Sequence, residues 1–140
     1  MSGVVHTQIG NNISTFEGNN FEINNIPGST NDNIVSGFFG TISGATINNV
    51  EFNYVSGAIL GASIDADGKY TDIIDKCGAV VNSATNVTLT NVRSSGATVK
   101  GTTNVGGLVG EMSGGSITNS FNFNDVEGIG DGAWTGGLVG

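Results

Sequence analysis

The stretch Gly106-Gly107-Leu108-Val109-Gly110-Glu111-Met112-Ser113-Gly114-Gly115-Ser116-Ile117-Thr118-Asn119-Ser120 decides the fold. A short apolar strand at Leu108-Val109 lies between glycines, a corner follows at residues 113–115, and a second strand begins at Ile117. Glycine lacks a Cβ, so it permits tight turns and close approach of neighbouring backbone. This combination favours a chain that stacks on itself.

Imperfect copies of this unit occur through most of the sequence. Glycine-bounded apolar segments lie at residues 37–40, 57–61, 78–81, 107–110 and 137–140. A second kind of segment reads Ile23-Asn24-Asn25-Ile26, Ile47-Asn48-Asn49-Val50, Leu89-Thr90-Asn91-Val92 and Ile117-Thr118-Asn119-Ser120. A third and shorter kind lies at residues 55–57, 99–101 and 126–128. The recurrence predicts units of about 20 to 30 residues, a period typical of solenoid proteins.

Units of this kind are expected to stack, because a strand of three or four residues cannot bury an apolar face alone. One predicted apolar column contains Phe38, Ile59, Val80, Leu108 and Leu138, and another contains Ile23, Ile47, Leu89 and Ile117. The many Ile, Val, Thr and Phe residues favour strands over helices. The sequence therefore predicts an all-β fold, a single-stranded parallel β-helix (β-solenoid) with about three short strands per coil and roughly four to five coils.

The two ends of the chain are patterned differently. Residues 1–33 are weakly patterned and are predicted to form an N-terminal strand or cap, continuous as one domain with the repeats over 34–140. A new coil begins at residues 136–140, and solenoid ends normally need a cap. We expect that the chain is cut from a longer protein, that a further copy of the chain stacks on this end, or that a protein partner covers it.

The Gly-Gly-Leu-Val-Gly element, with Ser-Gly and Ile-Thr-Asn after it, is similar to the GLUG-type (Gly-Leu-Val-Gly) repeat. That repeat occurs in β-helical bacterial surface adhesins and in non-catalytic regions of immunoglobulin-A-cleaving metallopeptidases, and similar arrays occur in virion structural proteins. The resemblance covers residues 34–140 and is strongest over 105–140. It implies a β-helical fold with a structural or adhesive role, because such repeats specify a fold rather than a reaction.

Composition restricts the partners and the location. The chain of 140 residues has a formal net charge of −8 and only 4 lysines and arginines, so nucleic acid is not an expected partner. Cys77 is the only cysteine; it cannot form an internal disulfide and is predicted to be buried as a small apolar residue. No apolar run has the length of a membrane span, and no signal-peptide pattern occurs at the start. We expect a cell-surface, extracellular or virion protein without membrane insertion.

One asparagine position recurs in the second kind of segment. Asn25, Asn49, Asn91 and Asn119 occupy it. Asparagine tolerates left-handed backbone conformation and can hydrogen-bond an identical neighbour above and below. The sequence predicts a structural asparagine ladder at a corner, and a ligand-binding row is the alternative.

A candidate calcium site lies at Asp65-Ala66-Asp67-Gly68. Calcium loops place oxygens at alternate positions and use glycine for a sharp turn, which points to Asp65 and Asp67 as ligands. The complete twelve-residue loop with its closing glutamate is not present, and a polar surface loop accounts for the same residues. No other cofactor is expected.

The sequence favours a non-enzymatic role. Glycoside hydrolysis needs two carboxylates at a set separation, and the aspartates here are not paired with a nearby arginine or histidine. The aromatic residues Phe121, Phe123 and Trp134 are predicted to pack at corners and within the rod. The chain is therefore interpreted as a structural or adhesive module that presents loops on a stiff rod, with protein partners, glycans or a host surface as ligands. The alternative is a polysaccharide-binding or polysaccharide-cleaving β-helix of tailspike or lyase type.

Overall fold

The computed structural model describes residues 8–10 and 13–140, and within these ranges the chain contains strands and no helix. The prediction of an all-β fold is thus confirmed for the described residues. Residues 1–7 and 11–12, which belong to the weakly patterned N-terminal region, lie outside them. In chain order the strands are β1 (Thr15–Ile26), β2 (Phe39–Ser43), β3 (Thr46–Leu60), β4 (Ser63–Ile64), β5 (Tyr70–Thr71), β6 (Lys76–Gly78), β7 (Val81–Gly101), β8 (Asn104–Gly106), β9 (Val109–Thr118), β10 (Phe121–Gly128) and β11 (Trp134–Gly136).

The strands form two parallel sheets and one small hairpin. The larger sheet has the order β1-β3-β7-β10, and β2 and β9 also pair with β7. The smaller parallel sheet has the order β11-β8-β6, and β4 pairs with β5 in an antiparallel hairpin. Parallel pairing of β1, β3, β7 and β10 follows chain order, so each long strand lies between its predecessor and its successor.

The long strands bend at residues with left-handed backbone. Within β7, which has 21 residues, Asn86, Asn91 and Gly96 have φ angles of 52°, 53° and 91°. Asparagine and glycine adopt this conformation more readily than other residues, so their positions set where the strand changes direction. Segments of four or five residues between these corners present their side chains alternately inward and outward, which the burial pattern of β7 follows.

Residues that lie side by side on neighbouring strands are 28 positions apart in the sequence in one part of the sheet and 42 positions apart in another. Ser83 of β7 and Glu111 of β9 are 28 residues apart, within the range expected from the sequence. Asn49 of β3 and Asn91 of β7 are 42 residues apart. The longer separation arises because the hairpin β4–β5 and its flanking loops lie between β3 and β7.

The register differs from the predicted apolar columns at two positions. Ile47, Leu89 and Ile117 do stand in one row, but the residue of β1 in this row is Phe16 and not Ile23. Three residues of β1, Gly18 to Asn20, lie opposite one residue of β3, and this bulge displaces Ile23 to a position opposite Phe52. Ile59 does not lie in the other predicted column, because it pairs with Thr98.

A single hydrophobic core lies between the strands. Its central feature is a cluster of four phenylalanine rings, Phe16, Phe38, Phe39 and Phe52, with neighbouring centroids 4.8 to 6.4 Å apart. Cys77 is fully buried, as predicted, and burial raises the pKa of its thiol. Such a thiol packs as an apolar group and is poorly ionised, which makes it unreactive.

One charged side chain is buried with this core. Lys100 is 1% exposed, its ammonium pairs with the carboxylate of Glu127 on β10, and it lies 3.9 Å from the centroid of the Tyr70 ring. A buried cation needs such partners, because its loss of hydration is otherwise uncompensated. Lys100 therefore ties three parts of the chain together: β7, β10 and the hairpin.

The prediction that the aromatic residues near the C-terminus pack within the rod is wrong. Phe121, Phe123 and Trp134 are 49%, 66% and 75% exposed. Phe121 and Phe123 lie opposite Arg93 and Ser95 on the outer face of the sheet, because side chains alternate along β10 and its inward position is taken by Asn124. Trp134 lies on β11, an edge strand in the described part of the chain. No strand of the described residues lies beyond β11 to cover this ring.

Candidate functional site

A row of asparagines crosses the larger sheet at one of its corners. Asn49 of β3 and Asn91 of β7 occupy matching register positions, and Asn119 follows β9 at the equivalent place. Their φ angles are 53°, 53° and 49°. The same strained conformation at the same register position explains why asparagine recurs there, since few other side chains tolerate it.

Hydrogen bonds join the side chains of this row. The Asn91 Nδ2 group donates to Asn49 Oδ1 at 3.0 Å and to Asn20 Oδ1 at 3.2 Å. In turn the Asn49 Nδ2 group donates to Glu17 Oε1 at 3.0 Å. The amides are thus held in fixed orientations before any ligand arrives.

Asn25 does not belong to this row. It also has a positive φ angle, 58°, but the bulge in β1 places it one corner further along, next to the pairing of Ile26 with Tyr54. The residue of β1 that reaches the row is Asn20, with φ 62°. Sequence reasoning missed Asn20 because the repeat motif aligned Ile23 with Ile47. We use the name asparagine row for Asn20, Asn49, Asn91 and Asn119.

The asparagine row borders a surface groove with a volume of about 220 Å³. Its lining residues are Asn20, Phe21, Asn49, Val50, Glu51, Asn91 and Arg93. Phe21 is 72% exposed at one side, and at the other the Arg93 guanidinium lies 5.4 Å from the centroid of the Phe121 ring. The lining of the groove therefore combines fixed amides, one carboxylate, one guanidinium and one exposed aromatic ring.

The pKa of the Glu17 carboxyl group depends on a hydrogen bond from the asparagine row. The hydrogen bond from Asn49, helped by the backbone N–H of Asn19, holds the Glu17 pKa below its ordinary value of 4.5. Because the folded-state pKa is lowered, this stabilisation is complete above the ordinary pKa and is lost as pH falls through the lowered one. We expect Asn49→Ala to raise the Glu17 pKa toward its ordinary value, measured by NMR titration of the side-chain carboxyl carbon.

Asn24→Ala is the control, because Asn24 is an exposed asparagine of β1 whose side-chain amide donates to Glu22 instead. It should leave the Glu17 titration unchanged. A Glu17 pKa that stays low in Asn49→Ala would show that the amide of Asn49 does not hold this carboxylate.

The calcium candidates Asp65 and Asp67 lie in the turn of the hairpin β4–β5. The Asp65 Oδ1 atom accepts hydrogen bonds from the backbone N–H groups of Asp67 and Lys69, both at 2.9 Å. This carboxylate thereby closes the turn, in the manner of an Asx turn. Among residues 8–10 and 13–140, no group of three or more His, Cys, Asp or Glu side chains is placed to hold a metal ion. The calcium site stays a prediction that rests on the sequence pattern.

Comparison of the chain with protein-family models, with curated proteins and with solved structures finds no match. Within the described ranges, no helix has the length and apolar character needed to cross a bilayer. The function must therefore be inferred from the geometry of the chain itself.

Proposed function

We propose that the chain is a parallel β-helix that serves as a non-enzymatic structural and adhesive module. The observation that carries this proposal is the parallel pairing of β1, β3, β7 and β10 in chain order, with Ile47, Leu89 and Ile117 side by side. Winding of the chain into about four to five coils accounts for this pairing, because each coil returns the chain to the same register. Left-handed Asn and Gly residues would then form the corners of the coils.

Stacked coils of this kind make a stiff rod, with contact surfaces on its sides and ends. The Gly-Leu-Val-Gly pattern supports placing the chain with the GLUG-type repeat proteins, and hence on a cell surface or in a virion. Backbone hydrogen bonds run along the rod and alternate side chains fill its interior, so the rod resists bending without any catalytic apparatus. This geometry supports the proposal of a function in assembly or attachment.

The C-terminal edge, which we define as β10, β11 and Leu138, supports contact with another protein chain. Phe121, Phe123, Trp134 and Leu138 are all exposed there. An exposed sheet edge has unpaired N–H and C=O groups that can pair with a further strand, and apolar side chains beside it add to the attraction. We propose a second copy of this chain as the occupant, since β1 at the opposite edge also pairs on one side only within the described residues.

Sedimentation velocity over a concentration series tests this contact. We expect the 140-residue chain to form larger species as concentration rises, because edge-to-edge contact is head-to-tail and does not close. The double variant Phe123→Lys, Trp134→Lys should stay monomeric, since it places charge on the contact surface.

Ile64→Lys is the control, because Ile64 is exposed in the hairpin and not at the sheet edge. It should associate like the unchanged chain. A chain that sediments as a monomer at every concentration, with circular dichroism typical of strands, would contradict association of copies through the C-terminal edge.

A further inference from the structure

Side-chain amides of the asparagine row can form further hydrogen bonds into the groove. Both N–H groups of Asn91 are used within the row, whereas Asn91 Oδ1 and Asn20 Nδ2 have no partner among the described residues. Each amide thus keeps a free acceptor or donor at a position that its neighbours have already fixed. Fixed polar groups that converge in a groove are typical of binding sites.

The groove also contains two opposite charges that do not form an ion pair. Glu51 and Arg93 are direct neighbours in the pairing of β3 with β7. Within the described ranges, the ion pairs are Lys76–Glu111 and Lys100–Glu127, so Glu51 and Arg93 do not form one. A planar carboxylate and a planar guanidinium side by side suit a ligand that offers paired hydroxyl groups, which both donate and accept hydrogen bonds.

Aromatic rings flank the polar groups. Phe21 on β1 lines the groove, and Phe121 on β10 lies outside its lining, against the guanidinium of Arg93. Phe121 stacks with Phe123, with centroids 6.5 Å apart and ring planes 19° apart. An exposed aromatic ring beside fixed polar groups suits a ligand that has one apolar and one polar face, such as a pyranose.

From these contacts we infer that the groove binds a linear, uncharged oligosaccharide along the direction in which the strands stack. The inference rests on the adhesive part of the proposed function and gives it a ligand class. The ligand is uncharged because the groove holds one carboxylate and one guanidinium, and the chain as a whole, with a net charge of −8, repels polyanions.

NMR titration of the ¹⁵N-labelled chain with four probes tests the inference: cellohexaose, maltohexaose, chitohexaose and a heparin hexasaccharide. We expect at least one of the three uncharged probes to give saturable shifts of the Asn20, Asn49 and Asn91 side-chain amide signals. We expect Phe21→Ala to raise the dissociation constant about tenfold through loss of ring stacking. Trp134→Ala removes an equally exposed aromatic side chain outside the groove and should change the constant less than twofold.

Three results would overturn the inference: no shift with any uncharged probe at about 10 mM, shifts that map outside the groove, or shifts with the heparin probe alone. The spectrum of each variant also reports whether it is folded, so loss of binding is distinguished from loss of structure. Phe21 lies on β1, which the proposed association also uses, so the titration is run at a protein concentration at which sedimentation shows a monomer. Failure of glycan binding is then distinguished from failure of association. The two proposals therefore stand or fall separately.

Discussion

Replacement of Gly61 by alanine is expected to destabilise the fold by about 3–5 kcal/mol. Gly61 has a φ angle of 82°, and a Cβ atom there would lie 1.9 Å from the carbonyl oxygen of Lys100. The backbone at Gly61 is held on both sides, since its N–H donates to Val35 O at 2.7 Å and its carbonyl accepts from the N–H of Ile74 at 2.9 Å. It cannot move away from Lys100 without breaking these bonds.

Gly57→Ala is the matched control for this change. Gly57 has nearly the same φ angle, 79°, but a Cβ atom there would meet nothing within 4 Å. It should lose only about 1–2 kcal/mol, the cost of a left-handed alanine. Urea denaturation followed by circular dichroism measures both. If the two variants are equally stable, the close approach of Gly61 to β7 is not what requires glycine.

Truncation of Phe52 to alanine is expected to cost about 3–5 kcal/mol. The Phe52 side chain is fully buried, and its ring centroid lies 4.8 Å from that of Phe38 and 6.0 Å from that of Phe39. Its removal leaves a cavity at the centre of the phenylalanine cluster, where strands on both sides are fixed by pairing and cannot collapse into it. Phe52→Leu should recover part of the loss.

Phe123→Ala provides the comparison for Phe52→Ala, because the same side chain is removed from a position that is 66% exposed. We expect its free energy of unfolding to change by less than about 0.5 kcal/mol. Equal losses for Phe52→Ala and Phe123→Ala would mean that the phenylalanine cluster is not the centre of the core. Thermal unfolding at low protein concentration keeps any association through the C-terminal edge from masking the difference.

The candidate site was only partly predictable from the sequence. Asn49, Asn91 and Asn119 were found because each lies at the same distance from an aliphatic residue of its strand, and a short-range pattern of this kind is visible in one dimension. Asn20 and Glu17 were not found, because the bulge at Gly18–Asn20 shifts the register of β1. The residues that line the groove come from three strands, β1, β3 and β7, so no local motif contains them.

Periodic glycines, asparagines and aliphatic residues determined that this chain is all-β and that corners fall at particular residues. These properties depend on the conformational preferences of single residues and their close neighbours, which a sequence displays directly. Only the tertiary structure decided which residues of successive repeat units lie side by side, because the register of the strands depends on the lengths of the intervening bulge and hairpin. It also decided which aromatic residues are buried: Phe52 lies opposite Ser94 on the inner face of the sheet, whereas Phe123 lies opposite Ser95 on the outer face.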